Sequence, residues 1–155
     1  MKANIGIAEA HAAEICKKLN VLLADEITLY SKTRNYHWNV TGPAFSVLHK
    51  FFEEQYGELE SMIDEVAERV RMLGGMAAGS LATVVANSRL SEAKDESGAM
   101  KMVLALLNDH EAIVRAIRED IDEVNDIHKD AGTADFLTGV MKAHEKMAWM
   151  LRAHL

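Results

Sequence analysis

The chain has 155 residues and a formal net charge of −7 at pH 7, from 24 acidic and 17 basic residues. This acidic excess argues against a large phosphate-neutralising surface and favours cations as partners. The one cysteine excludes an internal disulfide and suits a reducing compartment. With no secretion signal at the N-terminus and no apolar run near the roughly 18 residues of a membrane span, we expect a cytoplasmic protein with no membrane partner.

The first half of the chain predicts two long helices. Apolar residues at helical spacing predict a first helix from about Ile5 to His37. Gly42-Pro43 then breaks the chain, because Gly suits the end of a helix and Pro suits the beginning of the next. A second helix is predicted from about Ala44 to Leu73, and Gly74-Gly75 ends it.

The second half predicts a connector and two more helices. Residues 76–97 are rich in Gly, Ala and Ser, with a short apolar run at Leu81–Val85, and predict a connector that contains one short helix. A third helix is predicted from about Gly98 to His128, a turn at Asp130–Thr133, and a last helix from about Thr133 to Ala153. The pattern predicts an all-α fold, a ferritin-like four-helix bundle with a long crossover that carries a short extra helix. We expect one domain over residues 1–155.

Five residues of metal-ligand type flank the chain break and continue along the second helix: His37, His49, Glu53, Asp64 and Glu68. On that helix His49 and Glu53 are one turn apart, as are Asp64 and Glu68, and the two pairs project within about 100° of each other. The axial distance from Glu53 to Asp64 is roughly 16 Å, at about 1.5 Å per residue. That distance is too long for one ion, so the five residues cannot share a metal within one subunit.

A twofold axis would bring these residues together. If two copies of the helix cross antiparallel, His49 faces Glu68 and Glu53 faces Asp64, because the residue numbers of both pairs have the same sum. The crossing point lies beside Gly57, which lets two backbones approach closely. An isologous contact of this kind would produce two equivalent metal sites, each shared between subunits. The alternative for each acid taken singly is a solvated helix face.

The chain resembles the Dps family, the starvation-induced DNA-protecting mini-ferritins. The resemblance rests on the segment Tyr36–Phe45, YHWNVTGPAF, followed by His49. Further matches are residues 64–69 with Leu73-Gly74-Gly75, and the segment His144–Arg152. The resemblance covers nearly the whole chain. It implies a four-helix subunit in a hollow dodecamer, with ferroxidase sites at the twofold interfaces and iron stored inside as a ferric mineral.

By this resemblance the metal ligands are His37, His49 and Glu53 of one subunit, with Asp64 and Glu68 of its partner. Many relatives carry Asp at the Glu53 position, so the longer carboxylate here either binds metal directly or orients His49. The resemblance also implies hydrogen peroxide as the preferred oxidant, with dioxygen slower. Imidazoles and carboxylates suit iron, and zinc is a competitor for the same ligands. No Glu has a His three positions later, which argues against the site within one subunit that other di-iron bundles use.

Two further groups are functional candidates. Trp38, next to His37, is a candidate acceptor of stray oxidising equivalents, and its alternative role is a packed aromatic. Asp126, Asp130 and Asp135 lie near the turn into the last helix, where members of the family line a threefold pore with acids that attract iron. Their alternative role is capping and solvation of a helix N-terminus.

The remaining histidines and the cysteine are interpreted as structural or left without a role. His110 falls on the apolar stripe of the third helix and is predicted to be a core or interface residue. Four others show no partner pattern and receive no function: His11, His128, His144 and His154. Cys16 is predicted to be a packing residue, because no catalytic His-Asp context accompanies it.

Three functions compete. The first is a ferroxidase that oxidises and stores iron and protects the cell from peroxide. The second is a DNA-compacting stress protein in which the metal site is secondary. Only Lys2 precedes the first helix as a cation, and Arg152 is the only strong one near the C-terminus, so little counterion release is available and we expect weak or absent DNA binding. The third is a structural helical bundle without metal.

Overall fold

The computed structural model describes residues 3–93, 96 and 98–155, which form five helices without a strand in those ranges. The helices are α1 (Glu9–Asn39), α2 (Phe45–Met72), α3 (Leu81–Asn87), α4 (Ala99–Asp126) and α5 (Ala131–Arg152). The predicted all-α fold is confirmed, and so is the short helix in the long crossover, which is α3. None of the described helices combines the length and the apolar character needed to cross a membrane.

Two antiparallel helix pairs, α1 with α2 and α4 with α5, pack face to face around one apolar core. Lys18 binds Asp120 at 2.9 Å and Lys32 binds Asp109 at 2.6 Å, which shows that α1 and α4 also run antiparallel. The largest fully buried side chains include Ile15, Leu22, Phe52, Leu59, Leu106 and Ile117. Each such side chain contributes about 1.5–3 kcal/mol when it leaves water, so the core fixes the register of the helices.

The crossover is fastened to the middle of α1 by one buried carboxylate. Asp25 accepts hydrogen bonds from the backbone N–H of Arg89 at 2.7 Å and from the hydroxyl of Ser88 at 3.2 Å. The guanidinium of Arg89 also donates to Asp25 at 2.6–2.7 Å. A buried carboxylate that receives this many donors holds the chain between α3 and α4 against the bundle.

Two predicted boundaries were wrong for identifiable reasons. The first helix was expected from Ile5 and begins at Glu9, because Gly6 has a φ of +81° that no helix contains. The turn before the last helix was expected at Asp130–Thr133, yet α5 begins at Ala131. Asp130 is its N-cap, and its carboxylate accepts from the backbone N–H of Thr133 at 3.0 Å.

Candidate metal centre and its surroundings

The two candidate histidine ligands meet where α1 ends and α2 begins. Gly42 adopts a φ of +100°, which reverses the chain between the helices and brings the last turn of α1 beside the first turn of α2. The rings of His37 and His49 stack with centroids 3.8 Å apart and planes 21° apart. Residues twelve positions apart in the sequence thus form one stacked imidazole pair.

Each imidazole is fixed by the backbone of the other histidine. The Nδ1 atom of His37 lies 2.7 Å from the carbonyl oxygen of His49, and the Nδ1 atom of His49 lies 2.8 Å from the carbonyl oxygen of His37. A carbonyl can only accept, so both Nδ1 atoms carry the proton and the lone pair of each neutral ring is on Nε2. A hydrogen bond from the second ring nitrogen is the usual way in which proteins orient a metal-binding histidine.

The three candidate acids lie on the outer surface of α2. Glu53, Asp64 and Glu68 are all exposed, and no ion pair or hydrogen bond within the described part of the chain engages their carboxylates. Among the described residues, no three His, Cys, Asp or Glu side chains come together in a way that could hold an ion. One subunit therefore presents the histidine pair at the junction of α1 and α2 and the acids on the exposed face of α2, as separate groups.

The middle of this face is open. Gly57 is exposed, and a Cβ atom built there would meet nothing within 4 Å. A glycine in a helix interior destabilises the helix by about 0.5–1 kcal/mol relative to alanine. Packing within the subunit therefore does not require the small size of this residue.

An aromatic cluster lies behind the histidine pair. The ring of Tyr56 on α2 contacts His37 edge-on at 5.3 Å between centroids, and Tyr30 contacts Tyr56 edge-on at 6.0 Å. The guanidinium carbon of Arg34 lies 5.1 Å from the ring centroid of Trp38 and 5.4 Å from those of Tyr30 and Tyr56. Sequence analysis identified only Trp38 in this group. Tyr30 and Arg34 precede it at intervals of four residues on α1, and Tyr56 comes from α2, which no spacing links to them.

The three candidate pore acids differ in their surroundings. Asp126 and Asp135 are exposed, whereas Asp130 is buried. Besides capping α5, Asp130 accepts a short hydrogen bond from the hydroxyl of Thr133 and lies 3.4 Å from the guanidinium of Arg69. Its carboxylate is engaged within the subunit, which favours the alternative role of helix capping for Asp130 and leaves two exposed acids as pore candidates.

A second histidine pair lies in the bundle core, and sequence analysis left one of its members without a role. Nδ1 of His110 on α4 lies 2.8 Å from Nδ1 of His144 on α5, and Nε2 of His144 lies 2.7 Å from Oε1 of Glu26 on α1. All three side chains are fully buried. Burial, followed by the neighbouring His144, holds the pKa of His110 well below its ordinary value of 6.5. Sequence analysis predicted His110 to be a core or interface residue, and the structure places it in the core.

Comparison with known proteins identifies the class. The family model for the ferritin-like domain matches residues 16–155, so the chain is a ferritin-like protein. An uncharacterised low-temperature-induced protein of Nostoc sp. is 44% identical, over 99% of this chain and 87% of its own length. The DNA protection during starvation protein 2 of Bacillus anthracis is 37% identical, over 92% of this chain and 97% of its own length.

A solved structure narrows the class to one family. The Dps protein of Vibrio cholerae, a member of a broad superfamily of ferritin-like diiron-carboxylate proteins, superposes with a TM-score of 0.93 at 29% identity. The superposition covers 99% of this chain and 96% of that one. Within the ferritin-like class, the chain belongs to the Dps family, and the predicted family and fold are confirmed.

Proposed function

We propose that the protein is an iron-oxidising and iron-storing mini-ferritin that protects against oxidative stress. The observation that carries the proposal is the reciprocal fixation of His37 and His49. Their Nδ1 protons are bound to carbonyl oxygens, so both Nε2 lone pairs are available beside an exposed acidic helix face. Two oriented imidazole nitrogens with nearby carboxylates are a donor set that suits iron.

The proposed sites are completed by a second subunit. When two α2 helices cross antiparallel near Gly57, the partner's Glu68 comes opposite His49 and the partner's Asp64 comes opposite Glu53. The unpaired, exposed acids and the open space at Gly57 support this crossing. His37 joins the site because its ring stacks on His49. We propose a homo-oligomer, a dodecameric shell by family resemblance, in which each twofold contact carries two equivalent sites.

The proposed reaction oxidises iron as the substrate. The carboxylates of Asp64 and Glu68 attract Fe(II) and stabilise the higher charge of Fe(III), while the two imidazoles bind as neutral ligands. Two Fe(II) ions give one electron each to one hydrogen peroxide, whose O–O bond breaks, and two protons convert the products to two water molecules. Because both electrons arrive together, no hydroxyl radical is released. The Fe(III) then hydrolyses and is stored as mineral inside the shell.

Glu53 is a further candidate residue of this site, and zinc is a candidate competitor for it. Glu53 lies one helical turn from His49 and is exposed, a position from which it can bind metal directly or orient His49. Zinc competes for the same His and carboxylate ligands, since it binds both well. If added zinc blocks Fe(II) binding in proportion to the amount of zinc bound, the result would support one shared site.

We further propose that exposed acids of the pore guide iron into the shell. Asp126 and Asp135 are the candidates whose side chains are exposed, and a ring of carboxylates concentrates cations electrostatically. Replacing both with Asn should slow mineral formation several-fold at low salt and have less effect at high salt. Binding of Fe(II) at the twofold sites should stay unchanged.

The name of the Bacillus anthracis relative suggests DNA protection as the second function. For this chain we propose that direct DNA binding is weak or absent, because the net charge is −7 and phosphate contacts need Lys and Arg. A gel shift on duplex DNA at neutral pH over a range of salt concentrations tests this. Tight retention at physiological salt would make DNA compaction the better account.

The proposed ferroxidase activity is tested by anaerobic Fe(II) titration followed by a stopped-flow pulse of hydrogen peroxide. The wild-type assembly should bind one to two Fe(II) per subunit and oxidise two per peroxide. The double variant Asp64→Ala/Glu68→Ala should lose both properties. The matched control, Glu58→Ala/Glu65→Ala, removes the same charge from exposed positions turned about 100° away on α2 and should behave as wild type. Oxidation as slow as in buffer for every protein would remove the proposal.

A further inference from the structure

Arg34 is unusual in an acidic protein because aromatic rings, and not a carboxylate, surround its guanidinium. No acid among the described residues forms an ion pair with it, although acids outnumber basic residues by 24 to 17. Its only hydrogen bond there runs from Nη1 to the hydroxyl of Tyr30 at 2.8 Å, and its Nε is buried without a partner. Three ring faces lie within 5.1–5.4 Å of its central carbon.

Iron binding does not explain this cation. Arg34 lies one helical turn before His37, and its guanidinium stays charged at every pH the protein meets. A fixed positive charge near a site for Fe(II) repels the metal and weakens its binding. Among the described residues, the contacts of this charge are with the rings that the guanidinium covers.

The charge has a direct effect on the redox chemistry of these rings. A cation over an aromatic face is attracted by the electron-rich ring. When the ring loses an electron it becomes positive, so the attraction turns into repulsion and electron loss is disfavoured. The ring of Tyr56 contacts His37, and Trp38 follows His37 in the chain. The rings of Tyr56 and Trp38 are therefore the first that an oxidant from the iron site would meet.

We propose that Arg34 is an electrostatic guard that keeps Tyr30, Trp38 and Tyr56 from being oxidised beside the iron site. This rests on the proposed ferroxidase function. When only one Fe(II) meets a peroxide, it yields Fe(III), hydroxide and a hydroxyl radical. That radical takes one electron and one proton from an unguarded ring and becomes water. Trp38 is then a protected residue, whereas the sequence interpretation made it an acceptor of oxidising equivalents.

The chain supplies an internal reference for testing the guard. Trp38 and Trp149 are similarly exposed, at 62% and 63%. Arg34 lies over Trp38, and no Lys or Arg of the described residues lies over Trp149. The ratio of Trp38 oxidation to Trp149 oxidation, compared between variants, therefore reports the effect of Arg34 and cancels differences in oxidant dose.

The first experiment uses a one-electron oxidant that needs no iron. The assembled protein is illuminated with ruthenium tris(bipyridine) and persulfate. The Ru(III) complex takes one electron from a ring, the ring proton goes to water, and persulfate is the final electron acceptor. Oxidised Trp38 and Trp149 are measured by peptide mass spectrometry. Arg34→Gln should raise the Trp38/Trp149 ratio roughly fivefold, the size expected for loss of a partly exposed cation–π contact.

Arg34→Lys separates charge from shape. It keeps the positive charge and shortens the planar head, so the ratio should stay near the wild-type value if charge protects the ring. An unchanged ratio in Arg34→Gln overturns the proposal. Equal rises in Arg34→Gln and Arg34→Lys also overturn it, because they show loss of packing or of an interface contact. Size-exclusion chromatography shows whether either variant leaves the assembly.

A second arm replaces the ruthenium oxidant with Fe(II) and peroxide. The same rise in Trp38 oxidation, together with tyrosyl radical seen by electron paramagnetic resonance, should appear in Arg34→Gln. If the ruthenium arm shows the effect and wild-type protein oxidises no iron, Arg34 is a guard and the proposed ferroxidase function fails. If iron is oxidised normally and the ruthenium arm shows no effect, the function stands and the guard fails.

Discussion

Two histidine pairs in this bundle illustrate opposite uses of the same side chain. His37 and His49 lie where α1 ends and α2 begins, the first buried and the second half-buried, with each Nδ1 hydrogen-bonded to a backbone carbonyl and each Nε2 without a hydrogen bond among the described residues. His110 and His144 lie in the core and bind each other, and His144 also binds Glu26. The first pair keeps two nitrogens for an outside ligand, whereas the second uses three of its four nitrogens to join three helices, and Nε2 of His110 has no partner among the described residues.

The difference shows that the hydrogen-bond partner, and not the residue type, separates a candidate ligand from a structural histidine. A backbone carbonyl takes up one nitrogen and orients the other. A buried carboxylate and a second imidazole take up nitrogens in the interior, where an unpaired polar group is costly. The His37–His49 pair is therefore expected to control iron chemistry, and the His110–His144 pair is expected to control stability.

The largest expected effect is a difference in stability and in Fe(II) binding between single substitutions in the two histidine pairs. His144→Ala leaves the fully buried Glu26 without its partner and should lower the free energy of unfolding by about 3–5 kcal/mol. His49→Ala removes a half-buried ring at the surface and should lower stability much less, while reducing saturable Fe(II) binding at least tenfold. Thermal unfolding and anaerobic Fe(II) titration measure the two properties. Equal losses of stability in both variants would contradict the division of roles.

The second prediction concerns the antiparallel crossing of two α2 helices, which the His37–His49 pair needs to complete a metal site. Gly57→Leu has free space within the subunit and gains about 1 kcal/mol of helix propensity, so the subunit should fold. Its side chain should nevertheless block the approach of a second α2 helix and prevent both assembly and iron binding. Gly139→Leu, another helical glycine with open space, gives the same gain in propensity away from this crossing. Normal assembly and iron binding by Gly57→Leu would exclude the proposed crossing.

The smallest effect is the pH dependence that the buried pair adds to stability. The pKa of His110 lies well below 6.5 in the folded protein, because burial and His144 disfavour its charged form. In the unfolded chain the same side chain binds a proton near its ordinary pKa of about 6.5, so the unfolded state binds more protons below that pH. The stability that uncharged His110 contributes at neutral pH should therefore be lost as the pH falls below about 6.5. The free energy of unfolding should decrease by at most about 1.4 kcal/mol per pH unit from this residue.

His110→Gln tests this pH dependence, because Gln can bind His144 but does not titrate. The wild-type unfolding temperature should fall more steeply than that of the variant between about pH 7.5 and pH 5. The exposed His154→Gln serves as a control and should follow the wild type. Parallel curves for wild type and His110→Gln would show that His110 does not cause acid destabilisation.

Local sequence patterns predicted the helices and the exposed candidate site. Periodicity, Gly42-Pro43 and Gly74-Gly75 located the long helices to within a few residues, and His37 and His49 were recognised because they flank one chain break. The start of α1 and the turn before α5 were misplaced, since they depend on the backbone angle of Gly6 and on capping by Asp130. Such details arise from one or two residues and leave no periodic pattern.

The contacts that define the chemistry of each pair were not predictable in the same way. Glu26, His110 and His144 come from three helices, and nothing in their spacing links them before the bundle register is known. The reciprocal bonds between imidazoles and carbonyls depend on the turn around Gly42. The contact of Arg34 with Tyr56 depends on how α1 packs on α2, whereas Tyr30 and Trp38 lie one helical turn to either side of Arg34. These are tertiary contacts, so only the folded chain shows them.

The most direct test of the shared metal site mixes two inactive subunits. His37→Ala/His49→Ala subunits keep the acids, and Asp64→Ala/Glu68→Ala subunits keep the histidines, so neither should bind Fe(II) when assembled alone. In a mixed dimer one site receives intact histidines from one subunit and intact acids from the other. If the subunits pair at random, anaerobic titration should recover about a quarter of the wild-type sites. Mixed shells that recover no Fe(II) binding would contradict a site shared between subunits.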